Sequence, residues 1–187
     1  FDEIPSALGR TGKMFVCEHF DVEPDMLVIG KGLGGGVFPM AALITNENLN
    51  IVEDKALGHY THEKSSVGCA AALATIDCLI EDGLLNNAVT LGKSGLEQLE
   101  ALKLKHPIIH EVRGLGLFYG IDLKLNNQPA SDQADAILYH SLSNGLSYKV
   151  GGGSILTLCP PLTISNDELG QAFSIIEDGI SRLNILY

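Results

Sequence analysis

The chain has 187 residues, 45% of them hydrophobic and 19% charged, which is enough apolar material to bury a core. Twelve lysines and arginines stand against 23 aspartates and glutamates, so the formal net charge is −11. A surface of this sign repels phosphate backbones and anionic lipids, which disfavours nucleic acid and membranes as partners. Without an apolar run of about 20 residues or a signal-like start, we expect a cytoplasmic protein.

The four cysteines form no CxxC pair, so they predict reduced core thiols and neither a disulfide framework nor a metal site. The chain has no initiator methionine, and its first residues already have the pattern of a strand end. We therefore expect the numbering to begin inside a larger protein.

The first half of the chain is predicted to contain two strands and two helices around a glycine-rich loop. Residues 25–30 form an apolar run typical of a strand buried on both faces, as in a parallel sheet. A loop at 32–36 follows, because no regular element tolerates so many glycines, and a second apolar strand is expected at 37–45. Small and apolar residues then predict helices at 67–85 and 84–104.

The second half is predicted to alternate strands and helices. We expect one strand over 110–125, a helix over 132–143 that ends at Asn144-Gly145, and a strand over 154–158. A capping box at 165–168 then opens the last helix. This order predicts a small α+β unit.

Lys31 directly follows the first predicted strand and is surrounded by glycines, which leave room for a planar ligand beside its amine. Residues 30–35 match the dinucleotide pattern GxGxxG, but Val37-Phe38-Pro39 stands where a helix should open, so that interpretation fails. Asp2 is at the end of another predicted strand. An amine that can form an imine, with a carboxylate that keeps a ring nitrogen protonated, suits pyridoxal phosphate. Taken singly, a solvated lysine and a capping aspartate remain alternatives.

Several motifs in the same order point to one family. They are Phe1-Asp2-Glu3-Ile4, Leu8 to Lys13 with its Gly-Arg-Thr-Gly core, Ile29 to Gly36, Val112 to Gly116 and Pro160-Pro161-Leu162. Together, with a separation of 31 − 2 = 29 between lysine and aspartate, they resemble the class III (omega) aminotransferases, pyridoxal-phosphate enzymes of fold type I. The resemblance covers essentially the whole chain.

The resemblance implies an α/β fold: part of the mixed or parallel sheet of a fold type I large domain, followed by a small α+β carboxy-terminal domain. It assigns residues 1–85 to the carboxy-terminal part of the cofactor-binding domain. Residues 86–187 are assigned to a linking helix and the small domain. The amino-terminal half of the family, which supplies the phosphate-binding loop and a stacking aromatic residue, is not in this sequence.

The resemblance also implies roles for four residues. Lys31 forms the Schiff base with the cofactor, Asp2 partners its pyridine nitrogen, and Ile4 packs on the ring face. Thr61 contacts the cofactor phosphate across the interface of a homodimer, although it could equally be an ordinary helix-entry residue.

Three departures from the family pattern bear on the reaction. Pro5 stands where many members carry a glutamine that reaches the cofactor. Residues 61–66 read Thr-His-Glu-Lys-Ser-Ser, where the family pattern is T-x-G-G-N-P. Three basic side chains in this region, His59, His62 and Lys64, could bind an anionic group or form a solvated loop. Thr157 replaces the arginine of members that use 2-oxoglutarate, a loss on the order of 1.5–3 kcal/mol of charge-assisted binding.

Three functions follow from these patterns. The first is an aminotransferase that moves an amino group from an amine or amino acid to an oxo acid, both small molecules. The second is a pyridoxal-phosphate-dependent ammonia- or phospho-lyase acting on a phosphorylated or phosphonylated amino alcohol. The third is a non-catalytic fragment of the same fold.

Overall fold

The computed structural model describes residues 1–52, 54–55, 58 and 65–183. They divide into two compact units, Phe1–Leu85 and Asn86–Tyr187. Within these described ranges, no helix is long and apolar enough to cross a membrane.

The sheet of the first unit pairs strands in both senses. Strand β1 (Met26–Ile29) is antiparallel to β2 (Ala42–Thr45). Val28 also pairs in parallel with Asp2: its amide donates to the Phe1 carbonyl at 2.8 Å, and its carbonyl accepts from the Glu3 amide at 2.9 Å. The mixed pairing agrees with the expected sheet. Burial of β1 on both faces was wrong, because Met26 is exposed and only alternate residues are buried.

The second strand is shorter than the apolar run predicted. Residues 35–38 turn instead of extending, because Gly35 and Gly36 have φ of +64° and +74°. The amides of Val37 and Phe38 then both donate back to the Gly34 carbonyl at 3.1 Å, which reverses the chain before β2. Backbone geometry thus overrides the hydrophobic pattern here.

Helix α1 (Ser66–Glu81) completes the first unit. The Ser65 hydroxyl caps it by accepting from the Gly68 amide at 3.2 Å. The helix ends a few residues before the predicted end, and Gly83 after it has a left-handed φ of +68°. A side chain at Gly68 would meet Phe38 and Met40 at 2.9 Å, so the helix packs closely on the turn before β2.

The second unit is an antiparallel sheet with helices against its inward face. Its strands lie in the order β3-β4-β7-β6, with β5 paired to β4. The strands are β3 (Ile109–Leu115), β4 (Phe118–Leu125), β5 (Gln128–Pro129), β6 (Lys149–Gly151) and β7 (Ile155–Leu158). The helices are α2 (Leu84–Lys105), α3 (Ser131–Ser143) and α4 (Asn166–Ser181).

The prediction of one strand over 110–125 was wrong, because this segment is the β3–β4 hairpin. Leu115 pairs with Phe118 across a turn in which Gly116 has φ +56°. The apolar residues of both strands face the same core. The hydrophobic pattern of the sequence therefore continues through the turn and gives no sign of where the first strand ends. The capping box that opens α4 is confirmed: Ser165 and Glu168 each accept the other's backbone amide.

The core of the second unit lies between the inward face of the sheet and the helices. Tyr119, Ile121 and Leu156 are almost fully buried there, and the Tyr119 ring meets Phe173 of α4 edge-on at 5.9 Å. The outward face carries Arg113, Gly120 and Thr157 and is partly open.

The cysteines are less buried than expected. Cys17 is a core residue, but Cys69, Cys78 and Cys159 are exposed.

Candidate cofactor site

Lys31 lies at the carboxyl end of β1, where the strand passes through Gly30 into a 3₁₀ helix at Lys31–Gly34. Its side chain is exposed, and its φ is +47°. A left-handed conformation at a long side chain costs about 1–3 kcal/mol and persists only where the surroundings impose it. Such strain concentrates at functional sites. Leu8 and Asp21 of the same unit also have positive φ, but Lys31 is the residue of these three that carries an amine.

The glycines after Lys31 serve chain packing. The Gly35 amide donates to the Gly32 carbonyl at 2.9 Å and closes the turn. A Cβ at Gly35 would lie 2.8 Å from Thr75 Oγ1 of α1, so only glycine fits there. The loop after Lys31 therefore packs closely against α1.

Asp2 and Ile4 lie on the chain segment beside β1. Asp2 is exposed and level with Val28, and its Oδ1 accepts the Ile4 amide at 3.0 Å, which uses one of its two carboxylate oxygens. The Ile4 side chain lies against Gly30: a Cβ there would be 3.6 Å from its γ carbons. The structure thus brings the ends of the segments that carry Asp2, Ile4 and Lys31 together.

Thr61 lies outside the described residues, as do His59, His62 and Lys64. Pro5 is exposed in the turn that follows Ile4.

Glu3 has a structural role that the sequence analysis missed. It is 3% exposed, and its carboxylate accepts the amides of Val16 at 2.6 Å and Cys17 at 2.8 Å. Burial, with the charge of Glu3, raises the pKa of the Cys17 thiol. The sequence offered one signal for this role. Successive side chains of a strand point to opposite faces, so an exposed Asp2 implies that Glu3 points inward.

The residues present fit pyridoxal phosphate. The chemistry of the set is a primary amine, a carboxylate with a further oxygen for a ring N–H, and a branched apolar side chain for a ring face. A side chain at Gly30 would fill the space beside Ile4 and Ala41 at 3.5–3.6 Å. Lys31, Asp2 and Ile4 are therefore the residues that would hold the cofactor.

Thr157 lies in the second unit, in the middle of the outward sheet face. It pairs with Gly120 on one side and Lys149 on the other, and its hydroxyl donates to the Ile155 carbonyl at 3.5 Å. A cleft of about 460 Å³ opens over this part of the sheet.

The chain belongs to the class III aminotransferase family: the sequence model of "Aminotransferase class-III" matches residues 1–180. Proteins of this family depend on pyridoxal phosphate, and their solved structures have the fold type I architecture expected for this chain. The α/β fold class and the family resemblance are both confirmed.

Three similar proteins illustrate the range of the family. An (R)-1-hydroxy-2-aminoethylphosphonate ammonia-lyase of Vibrio splendidus is 44% identical over 97% of this chain and 39% of its own length. Ornithine aminotransferase 1 of Staphylococcus saprophyticus is 35% identical over 97% of this chain and 44% of its own. The solved structure of an amine transaminase from an uncultivated Pseudomonas species, in its PLP-bound form, is 29% identical and matches with a TM-score of 0.87. The match covers 96% of this chain and 43% of the transaminase. The chain spans less than half the length of these relatives.

Proposed function

We propose that this chain is part of a pyridoxal-phosphate-dependent aminotransferase that moves an amino group from an amine or amino acid to an oxo acid. The observation that carries the proposal is the strained Lys31 at the end of β1, next to the segment that bears Asp2 and Ile4. In this proposal residues 1–85 belong to the cofactor domain and 86–187 to the linking helix and small domain.

Each residue has a distinct role. Bound here, the cofactor supplies an aldehyde for amines and a ring that accepts an electron pair from the substrate carbon. Lys31 would supply the primary amine that holds the cofactor aldehyde and, once released from it, would move the proton at the reacting carbon as general base and acid. Asp2 keeps a ring nitrogen protonated through a charge-assisted hydrogen bond, and Ile4 covers a ring face. Thr61 is proposed to bind the phosphate.

Borohydride reduction tests the lysine assignment. In the full-length protein, reduction with pyridoxal phosphate should leave the cofactor mass on the peptide that contains Lys31, and Lys31→Ala should abolish the adduct. Lys13→Ala is the matched control, because that amine is on the same unit but donates to the Glu18 carbonyl at 2.7 Å. An adduct on another lysine of the wild type would overturn the assignment.

A lyase is the second candidate, and two observations favour it. The Vibrio ammonia-lyase is more similar to this chain than the ornithine aminotransferase, at 44% against 35% identity. Thr157 also offers a hydroxyl where a fork of charged donors would suit a dicarboxylate. In this alternative, the substrate is a phosphonylated or phosphorylated amino alcohol, and the same Lys31 moves the proton.

Ammonia release separates the two reactions. The full-length protein is incubated with an amino-alcohol phosphonate or phosphate in the absence of an oxo acid. Catalytic release of ammonia or phosphate supports the lyase, whereas turnover that requires pyruvate or 2-oxoglutarate supports the aminotransferase. Failure to bind pyridoxal phosphate, with no gain in thermal stability, would instead support a non-catalytic protein of this fold.

The proposal includes a cytoplasmic homodimer. Helix α1 exposes Leu73 and Ile80 by 63% and 61%, and a spacing of seven residues places them on one side of the helix. Such a face gains free energy when covered, and a second copy would cover it. Sedimentation of the full-length protein measures the oligomeric state, and a monomer would contradict this part of the proposal.

A further inference from the structure

Glu3 stands between Asp2 and Ile4, the residues proposed to touch the cofactor ring, and its own side chain points inward. It is 3% exposed, whereas Asp2 is exposed. A carboxylate is costly to bury unless hydrogen bonds replace the water that it loses. The partners of Glu3 therefore show what holds this part of the site in place.

The backbone of Glu3 connects two neighbouring segments. Its amide donates to the Val28 carbonyl at 2.9 Å, which aligns the first residues of the chain with β1. Its carbonyl accepts the amides of Ser6 at 3.1 Å and Ala7 at 2.9 Å, which closes the turn that follows. Both main-chain polar groups of Glu3 are thus used, and the side chain makes a separate connection.

The side chain of Glu3 binds a further segment of the first unit. Oε2 accepts the Val16 amide at 2.6 Å, and Oε1 accepts the Cys17 amide at 2.8 Å. These amides open a 3₁₀ helix at Val16–His19, where the first N–H groups have no partner within the helix. Hydrogen bonds from backbone N–H groups to an ionised carboxylate are about twice as strong as neutral ones. Glu3 therefore anchors this short helix to the segment that bears Asp2.

Leu8 extends the connection to the loop of Lys31. Its amide donates to the Met14 carbonyl at 2.7 Å, two residues before the 3₁₀ helix. Leu8 is 7% exposed and has a φ of +59°, which a leucine keeps only where its surroundings impose it. Its Cδ1 lies 3.6 Å from the position that a Cβ on Gly32 would take, one residue after Lys31. Leu8 thus packs against the lysine loop.

We propose that Glu3 is a positioning residue of the cofactor site. Its buried carboxylate fixes residues 1–4 against residues 14–19, which holds Asp2 directly and the Lys31 loop by way of Leu8. The inference rests on the proposed function and adds a residue that touches neither cofactor nor substrate. A ring held between a carboxylate and an amine needs both at a fixed separation, because a hydrogen bond weakens steeply when its geometry is poor.

Cofactor affinity tests the proposal in the full-length protein. Glu3→Gln keeps the shape, but the amide group of glutamine cannot accept from one of the two backbone N–H groups. We expect the dissociation constant for pyridoxal phosphate, measured by absorbance titration, to rise about tenfold. Glu18→Gln is the matched control, because that carboxylate is exposed and a glutamine can still accept the Phe15 amide, now at 2.7 Å from Oε1; the dissociation constant should not change.

The pH dependence of the bound cofactor's absorbance separates positioning from a general loss of stability. A ring nitrogen that Asp2 holds less firmly loses its proton more readily, and the nitrogen contributed by Lys31 then keeps its proton to higher pH, because a nearby positive charge is gone. The midpoint should therefore rise in Glu3→Gln, whereas a variant that is only less stable would keep the midpoint of the wild type. Glu3→Asp retains the charge and should recover part of the affinity.

Hydrogen exchange of the cofactor-free protein follows the connection itself. In Glu3→Gln the amides of residues 14–19 and 31–35 should exchange about tenfold faster, while those of the second unit's strands keep their rates. If Glu3→Gln does not fold, Leu8→Ala removes the contact with Gly32 and should raise the dissociation constant about three- to tenfold.

The outcomes distinguish this inference from the proposed function. A wild-type protein that binds no pyridoxal phosphate contradicts the proposed function. A wild-type protein that binds it, with the same dissociation constant and absorbance midpoint in a folded Glu3→Gln variant, overturns the positioning role alone. Unchanged exchange rates in that variant, or an unchanged dissociation constant in Leu8→Ala, would overturn it as well.

Discussion

At the scale of single residues, Tyr119 shows how burial sets the chemistry of a side chain. It is 1% exposed, and its hydroxyl donates to the Leu91 carbonyl of α2 at 3.1 Å. Burial raises its pKa from 10.0 to about 12, because the phenolate is poorly solvated inside the core. The stability that depends on the neutral hydroxyl is therefore complete below about pH 10 and is lost as the pH rises towards 12.

Replacing Tyr119 by phenylalanine tests this assignment. At pH 7 we expect Tyr119→Phe to lower the free energy of unfolding by about 1 kcal/mol, because the Leu91 carbonyl loses a donor. Between pH 10 and 12 the difference from the wild type should narrow, because the variant lacks this titration. Denaturant unfolding at several pH values measures both effects. Tyr139→Phe, at an exposed tyrosine, is the control and should show neither.

Single residues also mark the limit of what could be predicted for the site. The positions of Lys31 and Asp2 on neighbouring segments were predictable, because a strand end next to glycines and a strand-end carboxylate leave a pattern in the sequence; their roles stay a proposal. The hydrogen bonds of Glu3 with the Val16 and Cys17 amides and the reach of Arg113 over Gly120 were not assigned, because each depends on where two segments of the chain meet.

At the scale of secondary-structure elements, two helical glycines have opposite surroundings. A Cβ at Gly92 of α2 would lie 2.6 Å from the backbone of Gly116 in the β3–β4 turn, which cannot move as a side chain can. A Cβ at Gly170 of α4 would meet only Gln98 Oε1, at 4.0 Å. The first glycine is required by packing, and the second is not.

The two alanine variants should therefore change the stability of the protein in opposite directions. Gly92→Ala should destabilise the protein by about 1–3 kcal/mol, because overpacking against backbone outweighs the better helix propensity of alanine. Gly170→Ala should stabilise it by about 0.5–1 kcal/mol. Thermal unfolding of both variants beside the wild type measures the difference. A stabilised Gly92→Ala protein would mean that α2 and the turn are farther apart than described here.

Elements with local signals were predicted well, and elements without them were not. The capping box of α4 lies within four residues, so it is visible in the sequence. The hairpin turn at Gly116 and the short strands β5 and β6 went unpredicted, although each joins segments that are close along the chain. The turn lies within one apolar pattern, and strands of two and three residues are too short to show an alternation of their own. Propensity says little about such contacts.

At the scale of the whole molecule, the two units differ in how much core they bury. One continuous cluster of buried residues in the second unit runs from Ala88 to Ile180 and joins α2, α3 and α4 to the sheet. The buried apolar residues of the first unit's described part are fewer and smaller on average: Ala7, Leu8, Cys17, Leu27, Ile29, Leu33, Ala72 and Leu79. Burial of apolar area is the main contribution to folding stability, so we expect the second unit to fold alone more readily than the first.

Residues 84–187, expressed alone, should fold. We expect a cooperative unfolding transition by circular dichroism, because this segment contains all of α2 and the complete buried cluster. Residues 1–85 alone should show no such transition. A broad, non-cooperative melt of the 84–187 fragment would show that its core needs contacts from the rest of the protein.

Motif order, strand-end chemistry and helix caps are local properties of a chain, so the amino-acid sequence was enough to assign the family and the fold class and to propose the residues that hold the cofactor. Three-dimensional contacts were needed to show that Glu3 binds the Val16 and Cys17 amides, that residues 110–125 fold back as a hairpin, and that Arg113, Gly120, Thr157 and Lys149 lie opposite one another in one row across the sheet. Strand register and close packing join residues far apart in sequence, and a one-residue shift in register would place the row on the opposite face.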